Sequence, residues 1–533
     1  MKSNGKHIEL LDHLRGVAIL AVLVFHTLGM AFGYDALPWK GWFRDFSGHT
    51  AFVYFLPVGM IAQAGVAIFF VVSGFCIHLS FQTQGRQWRG FFIRRFFRIY
   101  PAYILALFFS FLLLTINPGL DFASREFWVQ LLSHGLLVHN FNPATVGGIN
   151  AALWSLAVEA QLYLIYPLLL VLVGRMGWGR AMGMLAACEL LIRGFDGGVQ
   201  TLDAAGTAAG QVSWLLANSP FGYWFSWALG AFIADAWLKK QPLPFAHASP
   251  LRWLVLALGV HFARPLCGFQ FLLFAVTTAA VTGRCLSGSR PPVKAPAFSL
   301  ALLQRIGLWS YSLYLLHQPL LHVYSHLIVW AVPVGHRPAP AAFVLVMLTW
   351  LIIIPLSALW YRLVEMPGIA FGRKICQTQN SDAAATSVVV APTAAGRGSK
   401  AGYGLMVAAL AMGLAASLLV SYQFSLRAAV RRSHEAWALA TNPEASKRNG
   451  ALAVKLAEDA CLQTQYRQSA LIGILAAAYA EAGRFDEAVG AAQMAGAMAT
   501  RSGDETSAQT YREMLKLFVQ HQPYREPAAG GAN

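Results

Sequence analysis

Apolar segments about as long as a bilayer is thick recur along this chain and constrain its fold more than any other feature. A helix that crosses a membrane needs roughly 20 predominantly apolar residues. Such segments are predicted at residues 13–33, 63–81, 99–116, 154–173, 181–195, 220–237, 252–266, 268–283, 309–331, 341–361 and 403–423. Only 12% of the residues are charged, whereas a soluble domain carries about 25%. The sequence therefore predicts an all-α, polytopic membrane helix bundle.

Basic residues between these segments predict how the chain is oriented. Lys2 and Lys6 place the N-terminus in the cytoplasm, because loops on that side are enriched in Lys and Arg. The densest run of arginines, at residues 86–98, then falls in the next cytoplasmic loop. The pattern agrees with ten spans if the stretch 126–141 does not cross. The net charge of +16 therefore reflects topology, and we expect no nucleic-acid partner.

Four regions follow from these patterns. Residues 1–375 form the ten-span domain, 376–402 a flexible linker rich in Ala, Ser, Thr and Gly, and 403–423 an eleventh membrane helix. Residues 434–533 have the apolar spacing of a small helical-repeat soluble domain. They resemble a tetratricopeptide repeat at Ala478, Tyr479, Gly483, Phe485 and Ala488. Only one to two repeats are covered, so a simple cluster of helical hairpins is the alternative.

The first predicted span carries two ionisable residues, Arg15 and His26. Eleven residues at about 100° each return to nearly the same helix face, roughly 16 Å further along. Ionisable groups inside a span face a polar interior. A histidine there can take a proton from a hydroxyl group near neutral pH. The alternative is a structural histidine hydrogen-bonded between helices.

Two further pairs of residues have spacings that suit binding or catalysis. Arg95 and Arg98 share a helix face, and two guanidinium groups suit a diphosphate. Ser155 and Glu159 also share a face, inside a predicted span, where a carboxylate is a functional candidate. The alternatives are arginines that only mark the inner end of a span, and a carboxylate that only pairs with an arginine.

Six motifs carry a resemblance to a known family. They are LDHLRGVAILAVLVFH at 11–26, FFVVSGF at 69–75, RRFFRIYPAY at 94–103, LWSLAVEAQLYLIYP at 153–167, SYSLYLLHQP at 310–319 and YRLVEMP at 361–367. In this order and spacing, they resemble the membrane-bound acyltransferase-3 family.

That resemblance implies a multi-pass enzyme of the bacterial inner (plasma) membrane. It would move an acyl group, most often acetyl, from cytoplasmic acyl-CoA to a hydroxyl of an extracytoplasmic glycan or glycolipid of the cell envelope. The implied catalytic residues are His26, Glu159, Arg15 and Ser155, and the implied acyl-CoA-binding residues are Arg95 and Arg98. Supporting roles fall on Asp12, Ser73, Tyr311, His317, Arg362 and Glu365. Acyl-CoA is a co-substrate, and neither a metal nor a tightly bound cofactor is expected.

The C-terminal region departs from a pattern found in some family members. Those members add an extracytoplasmic hydrolase-like domain, whereas this chain has no GDS-type nucleophile motif after residue 376. We expect the repeat-like module to lie outside the cytoplasm and to recruit a protein partner. Two other classes stay open: a glycan or lipid transporter, and a membrane-anchored scaffold. Direct transfer and an acyl-enzyme relay also stay open.

Overall fold

The computed structural model describes most of the chain. The described residues are 8–32, 39–40, 42–44, 58–115, 125–202, 204–288, 297–331, 347–381, 432–463, 466, 468–501 and 504–526. The chain divides into two compact units. One comprises residues 1–111, 123–322 and 337–403, and the other comprises residues 112–122, 323–336 and 404–533.

The first unit is a bundle of helices with one short hairpin. The helices that belong wholly or mostly to it are α1 Glu9–Phe32, α2 Val58–Thr83, α3 Trp88–Thr115, α4 Arg125–Gly135, α5 Pro143–Val146, α6 Trp154–Thr201, α7 Ala208–Ala217, α8 Trp224–Leu238, α9 Pro250–Gly259, α10 Gln270–Leu286, α11 Ala297–Leu308, α12 Ser310–Ala331, α13 Trp350–Trp360 and α14 Met366–Ser381. Short 3₁₀ turns cover His139–Phe141, Ala151–Leu153, Pro220–Tyr223, Val260–Phe262 and Arg264–Phe269, and a π-helical turn covers Tyr361–Glu365. The hairpin pairs β1 Trp39–Lys40 antiparallel with β2 Phe43–Arg44.

Five described helical stretches are long and apolar enough to cross a membrane, judged by length and composition. They are Glu9–Thr27, Ala62–Thr83, Ala151–Thr201, Arg264–Leu286 and Trp350–Gln377. These helices support the prediction of a multi-pass membrane protein. The count of ten spans plus an eleventh stays a prediction, and so does the orientation. The eleventh span at 403–423, residues 341–346 of the tenth, and Lys2 and Lys6 lie outside the described residues.

Several predicted boundaries differ from the structure. The spans at 154–173 and 181–195 both fall in α6, whose helical geometry is interrupted at Gly177 (φ 75°, ψ 164°), a conformation that glycine adopts readily. The segment 252–266 is no single α-helix, because α9 ends at Gly259 and 3₁₀ turns follow. Helix α14 continues to Ser381 and so overlaps the first residues of the linker predicted at 376–402, whose bounds stay a prediction. The rest of that linker lies outside the described residues.

Helices α2 and α8 cross closely enough for their backbones to touch. A Cβ atom at Gly230 would lie 1.8 Å from the carbonyl oxygen of Val71, and one at Gly74 would lie 2.0 Å from that of Trp227. Only glycine fits at such a contact. Trp227 is fully buried and donates a hydrogen bond from Nε1 to Ser73 Oγ at 3.3 Å. The crossing therefore fixes the position of Ser73.

The second unit contains a row of helices joined by short turns. They are α15 at 432–441, α16 Gly450–Gln463, α17 Ser469–Glu481, α18 Phe485–Arg501 and α19 Glu505–Val519, with a 3₁₀ turn at Ala445–Lys447. From α16 onward each helix packs mainly on the next, around a core rich in buried alanine. Tyr479 donates a hydrogen bond to Glu458 at 2.9 Å, joining α17 to α16. The unit is helical, as predicted, and the tetratricopeptide assignment stays a prediction.

Candidate active site

A cavity of about 400 Å³ lies inside the first unit. Helices α1, α2, α3, α6, α11, α12 and α14 contribute its walls, together with the π-helical turn. Nine of the twelve residues predicted from the sequence line it: Asp12, Arg15, Ser73, Arg95, Arg98, Ser155, Glu159, Tyr311 and Glu365. The other three, His26, His317 and Arg362, do not. Motifs that are distant in sequence therefore converge on one site.

One face of α6 runs along the cavity. Ser155, Glu159 and Tyr163 are four residues apart, so they lie above one another on that face over about 12 Å. The Tyr163 hydroxyl donates to Glu159 Oε1 and lies 3.1 Å from Ser73 Oγ. Glu159 is therefore held by a phenol that is itself fixed by α2. The spacing of four from Glu159 is the signal that could have predicted Tyr163.

Arg15 forms hydrogen bonds with two other residues that line the cavity. Its Nη1 donates to Asp12 Oδ1 at 2.9 Å, and its Nη2 donates to Cys76 Sγ at 3.0 Å. The guanidinium is therefore paired with a carboxylate and bridges α1 to α2. Cys76 lines the cavity too, although it lies in no spacing pattern that would single it out in the sequence.

The arginines of α3 have no such acidic partner. Within the described part of the chain, neither Arg95 nor Arg98 forms an ion pair, and Arg95 Nε is buried without a hydrogen-bond partner. Arg95 also lies 5.8 Å above the Phe91 ring. Partly buried positive charge that forms no ion pair is costly, so these two side chains are suited to hold an anion.

The motif at 360–367 enters the site through the π-helical turn Tyr361–Glu365. π-turns inside α-helices occur frequently at functional sites. Glu365 is buried at the cavity wall and accepts a hydrogen bond from Ser312 at 2.7 Å. Arg362 is exposed and lies off the cavity, whereas Tyr361 lines it. Of the two supporting residues predicted from this motif, the structure therefore places Glu365 at the cavity and Arg362 away from it.

His317 lies next to Tyr314, which itself lines the cavity, and His26 lies next to His317. The rings of His26 and His317 are 5.0 Å apart, and the ring of Tyr314 is 5.5 Å from that of His317. The Tyr314 hydroxyl lies 2.7 Å from Ser155 Oγ and donates to the carbonyl of Ala152 at 2.7 Å. The histidine pair is therefore connected to the cavity through Tyr314.

The protonated nitrogen of His317 follows from its contacts. His317 Nδ1 is 2.7 Å from the carbonyl oxygen of Tyr314, and a hydrogen bond to a carbonyl requires a proton on that nitrogen. In the neutral ring, Nε2 then carries a lone pair. This atom is buried and has no hydrogen-bond partner among the described residues. His317 can therefore accept a proton through Nε2.

The described residues contain no group of three or more His, Cys, Asp or Glu that could hold a metal ion. The cavity offers positive charge on α3 and the hydroxyl groups of Ser155 and Tyr314, and the imidazole of His317 lies next to Tyr314. These groups bind anions and move protons. Within a membrane helix bundle, such groups suit acid–base chemistry on an anionic ligand.

Residues 8–360 match the acyltransferase domain that defines the acyltransferase-3 family. Because this match covers more than half of the chain, the chain belongs to that family and is an acyltransferase.

Three relatives illustrate the range of similarity. Acyltransferase MdmB of Streptomyces mycarofaciens is 26% identical over 319 residues, which cover 58% of this chain and 77% of the relative. Nodulation protein 10 of Rhizobium leguminosarum is 30% identical over 146 residues, or 25% of this chain and 39% of the relative. Peptidoglycan O-acetyltransferase OatA of Listeria monocytogenes is 29% identical over 181 residues, which cover 31% of this chain and 24% of the relative. The chain thus spans under half of the last two relatives. No solved structure matches it significantly.

Proposed function

We propose that this acyltransferase moves an acyl group, most often acetyl, from cytoplasmic acyl-CoA to a hydroxyl of a cell-envelope glycan or glycolipid. The observation that carries the proposal is the cavity itself. It joins arginines without acidic partners on α3 to Ser155 and Tyr314, which adjoin the histidine pair. Similarity to a peptidoglycan O-acetyltransferase supports an envelope acceptor.

In this proposal the donor enters from the side of α3. Arg95 and Arg98 bind the diphosphate of CoA through charge-assisted hydrogen bonds. The pantetheine arm then runs along the face of α6 past Glu159, and the thioester lies near Tyr314. This direction requires the N-terminus and the arginine-rich loop to face the cytoplasm of a bacterial inner membrane, as the sequence predicts.

The chemical step is a transfer from sulfur to oxygen. His26, with His317 beside it, takes the proton of the acceptor hydroxyl as the oxygen attacks the thioester carbonyl. A C–O bond forms, the C–S bond breaks, and the CoA thiolate leaves and regains a proton from the imidazolium. The hydroxyl groups of Ser155 and Tyr314 can stabilise the negative charge that develops on the carbonyl oxygen. Arg15, paired with Asp12, links α1 to α2 through its hydrogen bond to Cys76.

A labelling experiment tests this function. Membranes that contain the full chain are incubated with radiolabelled acetyl-CoA, and label is followed into envelope glycan. We expect transfer by the wild type and loss of transfer in His26→Ala. The matched control is His247→Ala, because His247 is an exposed histidine that does not line the cavity.

If His26→Ala transferred label at the normal rate, His26 would have no part in the mechanism. If the wild type bound no CoA, a transporter or scaffold would be favoured. Label trapped on the protein itself would indicate an acyl-enzyme relay.

For the second unit we propose a tetratricopeptide-like module that binds a protein partner outside the cytoplasm. The support is that each helix packs mainly on its neighbour in sequence, as in helical-repeat proteins. Truncation of the chain after residue 433 should leave CoA binding intact and reduce glycan acetylation in cells. Unchanged acetylation in cells would argue against recruitment by this module.

A further inference from the structure

We propose that Arg373 binds the 3′-phosphate of CoA and so completes a cradle of three arginines with Arg95 and Arg98. This inference rests on the proposed use of acyl-CoA as donor. In the sequence, Arg373 is a basic residue just after a predicted span, a position that the positive-inside rule explains without any ligand. The structure instead places it at the cavity wall.

The π-helical turn and α14 bring Arg373 to the cavity. Tyr361, Glu365, Ile369 and Arg373 follow one another at intervals of four residues and all line the cavity. Such spacing puts them along one side of a helical segment. Arg373 lies about 12 Å beyond Glu365 along that side, at 1.5 Å per residue. It is exposed, whereas Glu365 is buried, so Arg373 stands at the open end of the cavity.

Close packing of α14 on α3 fixes the level of Arg373. A Cβ atom at Gly372 would lie 2.6 Å from Phe97 Cβ, and one at Gly368 would lie 3.0 Å from the Phe97 carbonyl oxygen. One turn further along α14, Cys376 Sγ donates to the carbonyl of Gly90 at 3.6 Å. The two helices are therefore antiparallel. Along the helix axis, Arg373 lies beside the part of α3 between Gly90 and Phe97, which contains Arg95.

Positive charge at this end of the cavity exceeds the negative charge near it: Glu365 interacts electrostatically with Arg98 but forms no ion pair with it. Each carboxylate at the cavity wall already has a hydrogen-bond donor: Asp12 has Arg15, Glu159 has Tyr163, and Glu365 has Ser312. In the described ranges, no acidic side chain forms an ion pair with Arg95, Arg98 or Arg373. Three guanidinium groups at one end of a cavity predict a ligand that carries more than one phosphate group.

The arrangement of the three arginines matches the layout of CoA. Arg95 and Arg98 are three residues apart on one helix, which suits the two adjoining phosphates of the diphosphate. Arg373 is on another helix and is exposed, which suits a phosphate at the nucleotide end, separated from the diphosphate by ribose. The thioester end of the donor must point the other way, toward Tyr314 and the histidines. The 3′-phosphate is therefore the group that meets Arg373.

The test compares CoA with dephospho-CoA, which lacks only the 3′-phosphate. Dissociation constants are measured by titration calorimetry on the purified full chain in detergent, so no acceptor is needed. We expect the wild type to bind CoA about tenfold more tightly than dephospho-CoA, the effect of one charge-assisted hydrogen-bonding group. Arg373→Gln should weaken CoA binding about tenfold and leave dephospho-CoA binding unchanged.

Three control variants separate local from general effects. Lys374→Gln removes the neighbouring charge, which does not line the cavity, and should change neither constant. Arg95→Gln should weaken both ligands, because both carry the diphosphate. Arg373→Lys should keep part of the preference for CoA. Retained binding of dephospho-CoA also shows that Arg373→Gln is folded.

Two results would overturn the inference while leaving the donor proposal intact. One is equal binding of CoA and dephospho-CoA by the wild type. The other is an Arg373→Gln variant that keeps the preference for CoA or weakens both ligands alike. A wild-type chain that binds neither ligand would overturn this inference and the acyl-CoA donor together.

Discussion

Replacement of Gly230 by alanine should separate the two helices that hold Ser73 at the cavity. The new Cβ would lie 1.8 Å from the Val71 carbonyl oxygen and 2.7 Å from the Phe75 nitrogen. All of these atoms are backbone, so no side chain can rotate away. Relief requires α2 and α8 to move apart by about 1 Å, and overpacking of this kind destabilises a protein by about 1–3 kcal/mol.

The same displacement reaches the active site. The hydrogen bond from Trp227 Nε1 to Ser73 Oγ is already 3.3 Å long, so a further shift of about 1 Å breaks it. Ser73 is also 3.1 Å from the Tyr163 hydroxyl, which holds Glu159. We therefore expect Gly230→Ala to lower both the melting temperature and the rate of acyl transfer.

Gly183→Ala is the matched control for this substitution. Gly183 also lies inside a helix, α6, but no atom lies within 4 Å of its added Cβ. Alanine there should be neutral or stabilising by up to about 1 kcal/mol, from helix propensity alone. Both variants are melted as full-length protein in the same detergent. If Gly230→Ala were as stable as Gly183→Ala, the close crossing of α2 and α8 would be wrong.

Three further predictions follow from buried groups. Tyr314→Phe removes the hydroxyl that lies 2.7 Å from the buried Ser155 hydroxyl, and the loss of this hydrogen bond costs about 1–3 kcal/mol. The rate of acyl transfer should therefore fall, whereas CoA binding should persist. Burial lowers the pKa of His134 to about 4, and that of His139, whose ring stacks on it at 4.0 Å, to about 3. In the unfolded chain these histidines have a pKa of about 6.5, so between about pH 6.5 and pH 4 the unfolded chain binds protons that the folded chain does not. The free energy of unfolding should therefore be highest above about pH 6.5 and decrease as the pH falls toward about 4. Melting curves across this range should show the fall, and His134→Gln should reduce it. Burial raises the pKa of the Cys461 thiol to about 12, so maleimide should label it only after denaturation, as peptide mass spectrometry would show. Loss of CoA binding in Tyr314→Phe, a melting temperature independent of pH, or prompt labelling of the folded chain would contradict these three expectations in turn.

The sequence predicts most of the cavity because helix spacing is regular. Residues three or four apart on one helix face the same way, which is why Arg95 with Arg98 and Ser155 with Glu159 line the same space. The family resemblance, through the order of the motifs, predicts that residues from distant helices share one site. The periodicity within a single helix gives no information about contacts between helices.

The residues that were missed depend on features that periodicity does not show. In a regular helix, positions 361 and 362 flank position 365 at about 40° and 60°, so either could share its face. The π-helical turn decides between them, because Tyr361 lines the cavity and Arg362 is exposed. Arg373 was missed for another reason. A basic residue at the end of a span fits the positive-inside rule equally well with or without a ligand.

The distribution of charge in the cavity divides the reaction between two places. Arginines without acidic partners gather where α14 packs on α3, and there an anionic donor gains the most. Around Tyr314 the groups are hydroxyls and imidazoles, of which His317 has a lone pair directed to no partner in the described chain. Two positively charged imidazoles with rings 5.0 Å apart would repel each other, so the pair is suited to take up at most one extra proton at a time. In the proposed reaction that proton comes from the acceptor hydroxyl and leaves with the CoA thiol. The histidine pair would then be neutral again for the next acceptor, without any change of charge at the arginines.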